Sequence, residues 1–222
     1  SKPAALIVEP IQGEGGVLMP PAGYLTKVRE ICTKHRVLFV ADEIQTGLGR
    51  TGKLFACQWE NVRPDAMILG KALSGGFYPV SAFVADEAVM GVFKPGDHGS
   101  TFGGNPLGAA IGRAALTVLV EEKLADRARE LGDWFMGELR KIESPHILEV
   151  RGRGLLIGVE LVSPARPYCE ALAERGIHCK EPHDLVVRFS TPLVVAKADL
   201  EWALPHIAEV LAMSFEPALA AR

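Results

Sequence analysis

Apolar runs and helical periodicities alternate along the chain. Residues 4–8, Ala-Ala-Leu-Ile-Val, read as a buried strand ending at Glu9-Pro10. A glycine-rich loop follows, Gln12-Gly13-Glu14-Gly15-Gly16. From Pro21 to His35 the positions Tyr24, Leu25, Val28, Ile31 and Cys32 recur at helical spacing and predict one apolar helix face. Residues 37–41, Val-Leu-Phe-Val-Ala, form a continuous apolar run, the pattern of a strand buried on both faces, and stop at Asp42-Glu43. Residues 66–69 repeat the pattern and stop at Gly70-Lys71; residues 80–85 form a third run. Strands separated by crossovers of this length predict a largely parallel α/β sheet. A central strand with nothing before it is an unusual opening, and predicts pairing with further structure.

The pattern changes at Asn105-Pro106, an N-cap residue followed by a proline suited to the first helical position. A long helix is predicted from there to about Glu122, and a second over about Leu124–Ile142, with Leu124, Ala128, Leu131, Trp134, Phe135 and Leu139 facing inward. Strands at 147–150, 154–161 and 185–189, a helix near 168–175 and a last helix from about Lys197 complete a separate α+β block. Pro205 is expected to kink or shorten the last helix. The expected division is residues 1–120 and 121–222.

Composition narrows the class. With 24 Lys plus Arg against 27 Asp plus Glu the net charge is −3, which gives no reason to expect nucleic acid or an anionic membrane as partner. No apolar run approaches the roughly 20 residues of a membrane helix, and the first residues lack a signal-peptide layout. The four cysteines, Cys32, Cys57, Cys169 and Cys179, form no C-x-x-C pair and have no histidine at zinc spacing. Free thiols in a reducing, cytoplasmic compartment are expected.

Asp42 and Lys71 each end a buried strand, and ligands of open parallel sheets bind outside those ends. A lysine and a carboxylate facing one pocket suit pyridoxal phosphate (PLP). The amine joins the cofactor aldehyde, and the carboxylate keeps the pyridine nitrogen protonated. A buried salt bridge, or two solvated loop residues, would explain the same spacing. Small residues after Lys71 leave room for a flat ring, and Gln45 could reach the ring's 3-oxygen. Residues 98–105, with Ser100 and Thr101, offer hydroxyls and amides before a helix N-terminus, suitable for phosphate.

These motifs resemble one family. Residues 8–16 (Val-Glu-Pro-Ile-Gln-Gly-Glu-Gly-Gly), the Asp42 motif, residues 46–52 (Thr-Gly-Leu-Gly-Arg-Thr-Gly) and the Lys71 motif are similar to the class III, ornithine/acetylornithine-type aminotransferases. Residues 61–65, 77–81 and 94–101 look like the ornithine type, and the likeness runs over essentially all 222 residues. The resemblance implies the C-terminal part of a fold-type I PLP-transferase large domain followed by a small C-terminal domain. It implies that Lys71 is the PLP lysine, Asp42 the pyridine-nitrogen partner, and Gln45 the neighbour of the 3-oxygen. Ser100 and Thr101 correspond to the pair reaching the phosphate of the other subunit's cofactor, so a homodimer is implied. Glu14 and Arg188 correspond to a substrate switch: the arginine takes the α-carboxylate of glutamate, and the glutamate covers it when ornithine enters δ-amine first. The implied reaction moves the δ-amino group of ornithine to 2-oxoglutarate, giving glutamate semialdehyde and glutamate. The family's phosphate-binding loop and ring-stacking aromatic have no counterpart among these residues, which implies an N-terminal half, either a separate chain that assembles with this one or the rest of a longer chain.

Other readings compete. Residues 47–52 spell G-x-G-x-x-G, but four residues separate them from the strand end and no helix obviously follows, so a dinucleotide site is disfavoured. Asp42-Glu43 lacks a histidine at metal-ligand spacing, and Glu43 reads as a salt-bridge residue. Arg50 reads as a loop arginine bonding carbonyls, Arg151 and Arg153 as turn residues around Gly152, and His98 as a loop residue. Arg188 would be surface charge without the family match. An acetylornithine or other ω-amino acid aminotransferase, and an inactive remnant or partner subunit, remain as alternatives.

Overall fold

The apolar runs at 37–41 and 66–69 become the middle of a sheet. The computed structural model describes residues 2–215. Its first sheet has the order β1 (Ala5–Val8), β2 (Leu38–Asp42), β3 (Ala66–Leu69), β4 (Ala82–Ala85). β1 and β3 both run parallel to β2, and β4 runs antiparallel to β3. The sheet is thus mostly parallel, as the crossovers predict. β2 buries Phe39, Val40 and Ala41. Helix α1 (Tyr24–His35) covers it with Leu25, Val28 and Cys32, while Tyr24 and Ile31 of the predicted face stay exposed.

β1 departs from expectation. It is an edge strand, and Leu6 and Ile7 are 41% and 60% exposed although they point to opposite faces. An apolar run marks a strand that can be buried; whether it is depends on neighbours, and β1 has only one among the described residues. After β4 come a short helix α2 (Glu87–Met90) and the long α3 (Pro106–Glu121). Asn105 caps α3 as predicted, its Oδ1 accepting the Gly108 amide at 2.7 Å.

The second sheet is antiparallel, in the order β5 (Ile147–Arg153), β6 (Leu156–Leu161), β8 (Val186–Phe189), β7 (Lys180–His183). Helices α4 (Leu124–Leu139), α5 (Arg166–Glu174) and α6 (Lys197–Leu211) share one core with it, built from Phe135, Leu139, Val159, Tyr168, Phe189 and Ile207 among others. Phe135 and Phe189 meet edge to face at 6.0 Å. Gly132 on α4 is there for close approach: a Cβ would lie 2.0 Å from the Gly154 carbonyl oxygen. β7 carries the sequence Lys-Glu-Pro-His and gives no apolar signal, which is why only its neighbour β8 was expected. α6 continues past Pro205 to Leu211. Pro205 lies on its exposed side, where water can satisfy the carbonyl that proline leaves unpaired, while Ala203, Ile207 and Val210 hold the buried side on both flanks.

Two compact units result. One takes the chain up to Pro10 and again from Pro20 to Ala125; the other takes Ile11–Met19 and the described residues from Asp126 onward. The glycine-rich loop, early in the sequence, thus belongs with the later block. No helix of the described residues is long and apolar enough to cross a membrane.

All four cysteines are free, and only Cys179 is partly exposed. Its hydrogen bond with Cys169 lowers its pKa, against the opposing effect of burial. The same bond, with burial, pushes Cys169 up; burial and then the Glu43 carboxylate push Cys57 up. A lowered pKa means more thiolate at neutral pH. Iodoacetamide mapping by mass spectrometry is therefore expected to label Cys179 ahead of Cys169 and Cys57; equal labelling rates would contradict this ordering.

Candidate active site

Asp42 is the last residue of β2, and Lys71 lies two residues beyond the end of β3, its parallel neighbour. Parallel pairing brings both residues to the carboxyl end of one sheet. The Asp42 side chain turns the chain out of the strand, its Oδ1 accepting the Ile44 amide at 3.0 Å. The next residue goes inward. Glu43 is fully buried and accepts hydrogen bonds from Thr46 Oγ1 at 2.5 Å and from the amides of Ala56 and Cys57 at 3.0 and 2.9 Å. It is an anchor for the following loop, not the salt-bridge residue its sequence position suggests. The loop closes further where Thr51 Oγ1 donates to the Thr46 carbonyl and Trp59 Nε1 to the Thr51 carbonyl. The G-x-G-x-x-G segment is part of this self-closed loop and leads into a 3₁₀ turn at Ala56–Glu60, so it opens no helix for a dinucleotide. Gln45 rides on the anchored loop, half-buried.

Lys71 opens a short 3₁₀ turn, Lys71–Ser74, with φ of 43°. A lysine in the left-handed region is strained by about 1–3 kcal/mol, and such strain clusters at functional sites. Leu73 and Ser74 are buried and fix the turn, while the Lys71 side chain is exposed. An exposed primary amine on a fixed backbone, beside a half-buried carboxylate on the next strand end, is a donor set that fits PLP: the amine for its aldehyde, the carboxylate for its ring N–H. Ser100 and Thr101 lie on an exposed loop before α3. Ser100 Oγ accepts the Gly103 amide at 2.8 Å, and Asn105 uses the Gly108 amide, so the helix end is largely self-capped.

The second unit holds a separate charged cluster. The loop Ile11–Met19 is closed at its base by Gln12 and Leu18, which exchange amide hydrogen bonds at 3.2 and 3.0 Å. Ile11 and Val17 pack on Leu156. Val17 is fully buried with φ of 53°, an outlier for a β-branched residue that needs support from its surroundings. Gly158 of β6 makes the room, since a Cβ there would sit 3.1 Å from the Val17 Cβ. Arg151 supplies the grip. It is only 9% exposed and donates from Nε and Nη2 to the Gly16 carbonyl at 3.2 and 2.8 Å, and from Nε to the Val17 carbonyl at 3.1 Å. Its Nη1 pairs with Glu160 and with Glu149. Burial works against the guanidinium charge, but the hydrogen bonds of the two carboxylates outweigh it and raise its pKa.

The loop so held presents Glu14. Glu14 Oε1 accepts from Arg188 Nη1 at 2.9 Å, and Glu14 Oε2 from Lys180 Nζ at 3.2 Å. The Arg188 side chain is 12% exposed, Glu14 about half. Within the second unit the structure brings Glu14 and Arg188 together, and within the first it sets the ends of the strands that lead to Asp42 and Lys71 side by side.

The family model described as Aminotransferase class-III matches residues 1–211. The chain belongs to the class-III aminotransferases. Among curated relatives, an ornithine aminotransferase of Bacillus subtilis is 60% identical over 208 residues, covering 94% of this chain and 52% of the relative. Among solved structures, an ornithine aminotransferase from Toxoplasma gondii, with PLP at partial occupancy in its active site, matches with TM-score 0.91 at 48% identity, over 94% of this chain and 50% of that one. An acetylornithine aminotransferase from Elizabethkingia anophelis matches with TM-score 0.90 at 48% identity, over 94% and 54%. The chain spans about half the length of the relatives it matches.

For a class-III aminotransferase the sequence signals were uneven. Arg151 passed for a turn residue because it stands next to Gly152; it is in β5 and holds the Glu14 loop. The available signal was Glu160, a carboxylate inside the apolar run of β6 that needs a buried partner. Lys180 was missed with β7.

Replacing Arg151 by Met keeps the length and removes the grip. The Arg151→Met variant is expected to lose about 2–4 kcal/mol in urea unfolding, because carbonyls and carboxylates lose a buried partner. Amide exchange at Gln12 and Leu18 should accelerate in the same variant. Unchanged exchange there would show that the loop does not depend on Arg151.

Proposed function

We propose that this chain supplies the lysine, the ring-nitrogen carboxylate and the substrate switch of an ornithine δ-aminotransferase, which passes the δ-amino group of ornithine to 2-oxoglutarate. The observation that carries the reading is the Glu14–Arg188 pair: a nearly buried arginine covered by a carboxylate on a loop. A covered arginine presents little net charge, and an uncovered one binds a carboxylate in a fork. One site can then receive ornithine amine-first and a dicarboxylic acid carboxylate-first.

PLP, when bound, supplies the electron sink that makes the carbon bearing the amine acidic. Asp42 would accept a hydrogen bond from the protonated ring nitrogen, and Gln45 would lie beside the 3-oxygen. Lys71 Nζ would hold the cofactor between turnovers. Lys71 Nζ, once released, would take the proton from the substrate carbon that bears the amine and deliver it to the cofactor carbon on the other side of the shared nitrogen. The positive φ of Lys71 fixes where that amine begins. The reaction has two halves, amine in and amine out, so ping-pong kinetics are expected.

The reading extends to assembly. Phe102 and Leu107, next to Ser100–Thr101 in the chain, are 79% and 57% exposed, and Phe77 is 83% exposed; large apolar side chains left in water point to a covering surface. This supports a homodimer in which Ser100 and Thr101 serve the partner's cofactor. The open edge of β1 supports a further segment, the family's N-terminal half, pairing beside it. Free thiols support a cytoplasmic enzyme. An acetylornithine-type donor is the second reading, favoured by the equal likeness to the Elizabethkingia enzyme.

Absorption spectroscopy tests the core of the proposal. The protein with PLP should show a visible band distinct from that of free PLP, lost in Lys71→Ala and weakened in Asp42→Ala. Turnover of ornithine with 2-oxoglutarate should fall by about a thousandfold or more in Lys71→Ala. A band that survives Lys71→Ala would overturn the assignment.

A further inference from the structure

The antiparallel register of β7 and β8 sets Lys180 directly opposite Arg188. Like charges opposed across two strands destabilise the pair. Glu14 spans both, one carboxylate oxygen on each cation. The two cations differ. Arg188 is 12% exposed and weakly hydrated with a planar fork, whereas Lys180 is 60% exposed, a hydrated point charge on a flexible stem. β7 is itself held in place from its other face, where Arg166 pairs with Glu181 and Glu170.

We propose that Lys180 is the second pole of the switch: it retains Glu14 when a substrate carboxylate displaces that side chain from Arg188. The inference rests on the switch reading given above. A dicarboxylic substrate that reaches Arg188 leaves Glu14 facing an incoming charge of its own sign. With Lys180 present, one oxygen of Glu14 already has a cation to stay with, so only one contact is exchanged. Without Lys180, Glu14 loses that contact, and the substrate competes for its contact with Arg188. Lys180 is therefore a specificity-determining positioning residue that favours the oxo-acid half-reaction over the ornithine half-reaction.

The test uses the holoenzyme and three variants, Lys180→Gln, Lys180→Arg and Glu14→Gln, with the double variant of Lys180→Gln and Glu14→Gln. Single-turnover kinetics give the affinity for 2-oxoglutarate and for ornithine separately, and titration with glutarate, which has no reacting group, gives a dissociation constant free of chemistry. In Lys180→Gln the 2-oxoglutarate and glutarate constants should rise about threefold, the size of one half-exposed ion pair, with the ornithine constant unchanged or lower. Lys180→Arg should restore them and so exclude misfolding of β7. In the Glu14→Gln background, Lys180→Gln should have no further effect, because Lys180 acts through Glu14. An equal loss in that background would mean direct attraction of the dicarboxylate and would overturn the proposal, as would unchanged constants in Lys180→Gln. If Glu14→Gln leaves the relative preference for the two substrates unaltered, the switch itself is refuted. If Glu14→Gln alters it and Lys180→Gln does not, only the role of Lys180 falls.

Discussion

A single buried guanidinium organises the charged end of the second unit. Arg151 donates to two loop carbonyls and pairs with two carboxylates while itself almost fully buried. The carbonyls belong to Gly16 and Val17, and Val17 sits in a backbone conformation that a β-branched residue avoids when left to itself. The strained turn, the bare face of Gly158 beneath it and the placing of Glu14 over Arg188 follow from that grip. Above that grip the Glu14–Arg188 pair joins a half-exposed carboxylate to a nearly buried guanidinium.

The first unit uses a different device for the same purpose. Asp42 and Lys71 sit where strands end, and each is held by what comes next in the chain. Behind Asp42, the buried carboxylate of Glu43 ties down a loop by two amides and a hydroxyl. Behind Lys71, the buried Leu73 and Ser74 fix a tight turn. In both cases the side chain at the strand end, half-buried Asp42 or exposed Lys71, stays accessible while a following residue is committed to the interior, so the backbone is fixed without burying the charged group.

Much of this was legible in the sequence, and the residues show why. The apolar runs of β2 and β3 are short and continuous, one stopping at Asp42 and the other at Gly70-Lys71, so their place in the sheet and their carboxyl ends could be read. Asn105-Pro106 announced α3. Glu14 and Arg188 were legible only as members of a motif, because a salt bridge spanning 174 positions leaves no local trace. β7 was illegible: a strand of Lys-Glu-Pro-His forms because β8 offers it an edge, not through any preference of its own. Exposure of β1 was equally hidden, since hydrophobicity records what a strand could bury and not what arrives to cover it. Arg151 was misread because its glycine neighbour suggested a turn, while its partners lay 135 positions earlier in the chain.

That separation has a consequence for how the molecule is made. The loop at Ile11–Met19 is synthesised well before the strands that receive it, since β5 and β6 come more than a hundred residues later. Closing so long a span is slow and comes late in folding. For that interval the loop has no site to occupy, and its apolar residues Ile11, Val17 and Met19 stay in water. The two units are distinct in space but not separable by one cut: a piece beginning at Asp126 would lack the loop, and a piece ending at Ala125 would carry it with nowhere to dock.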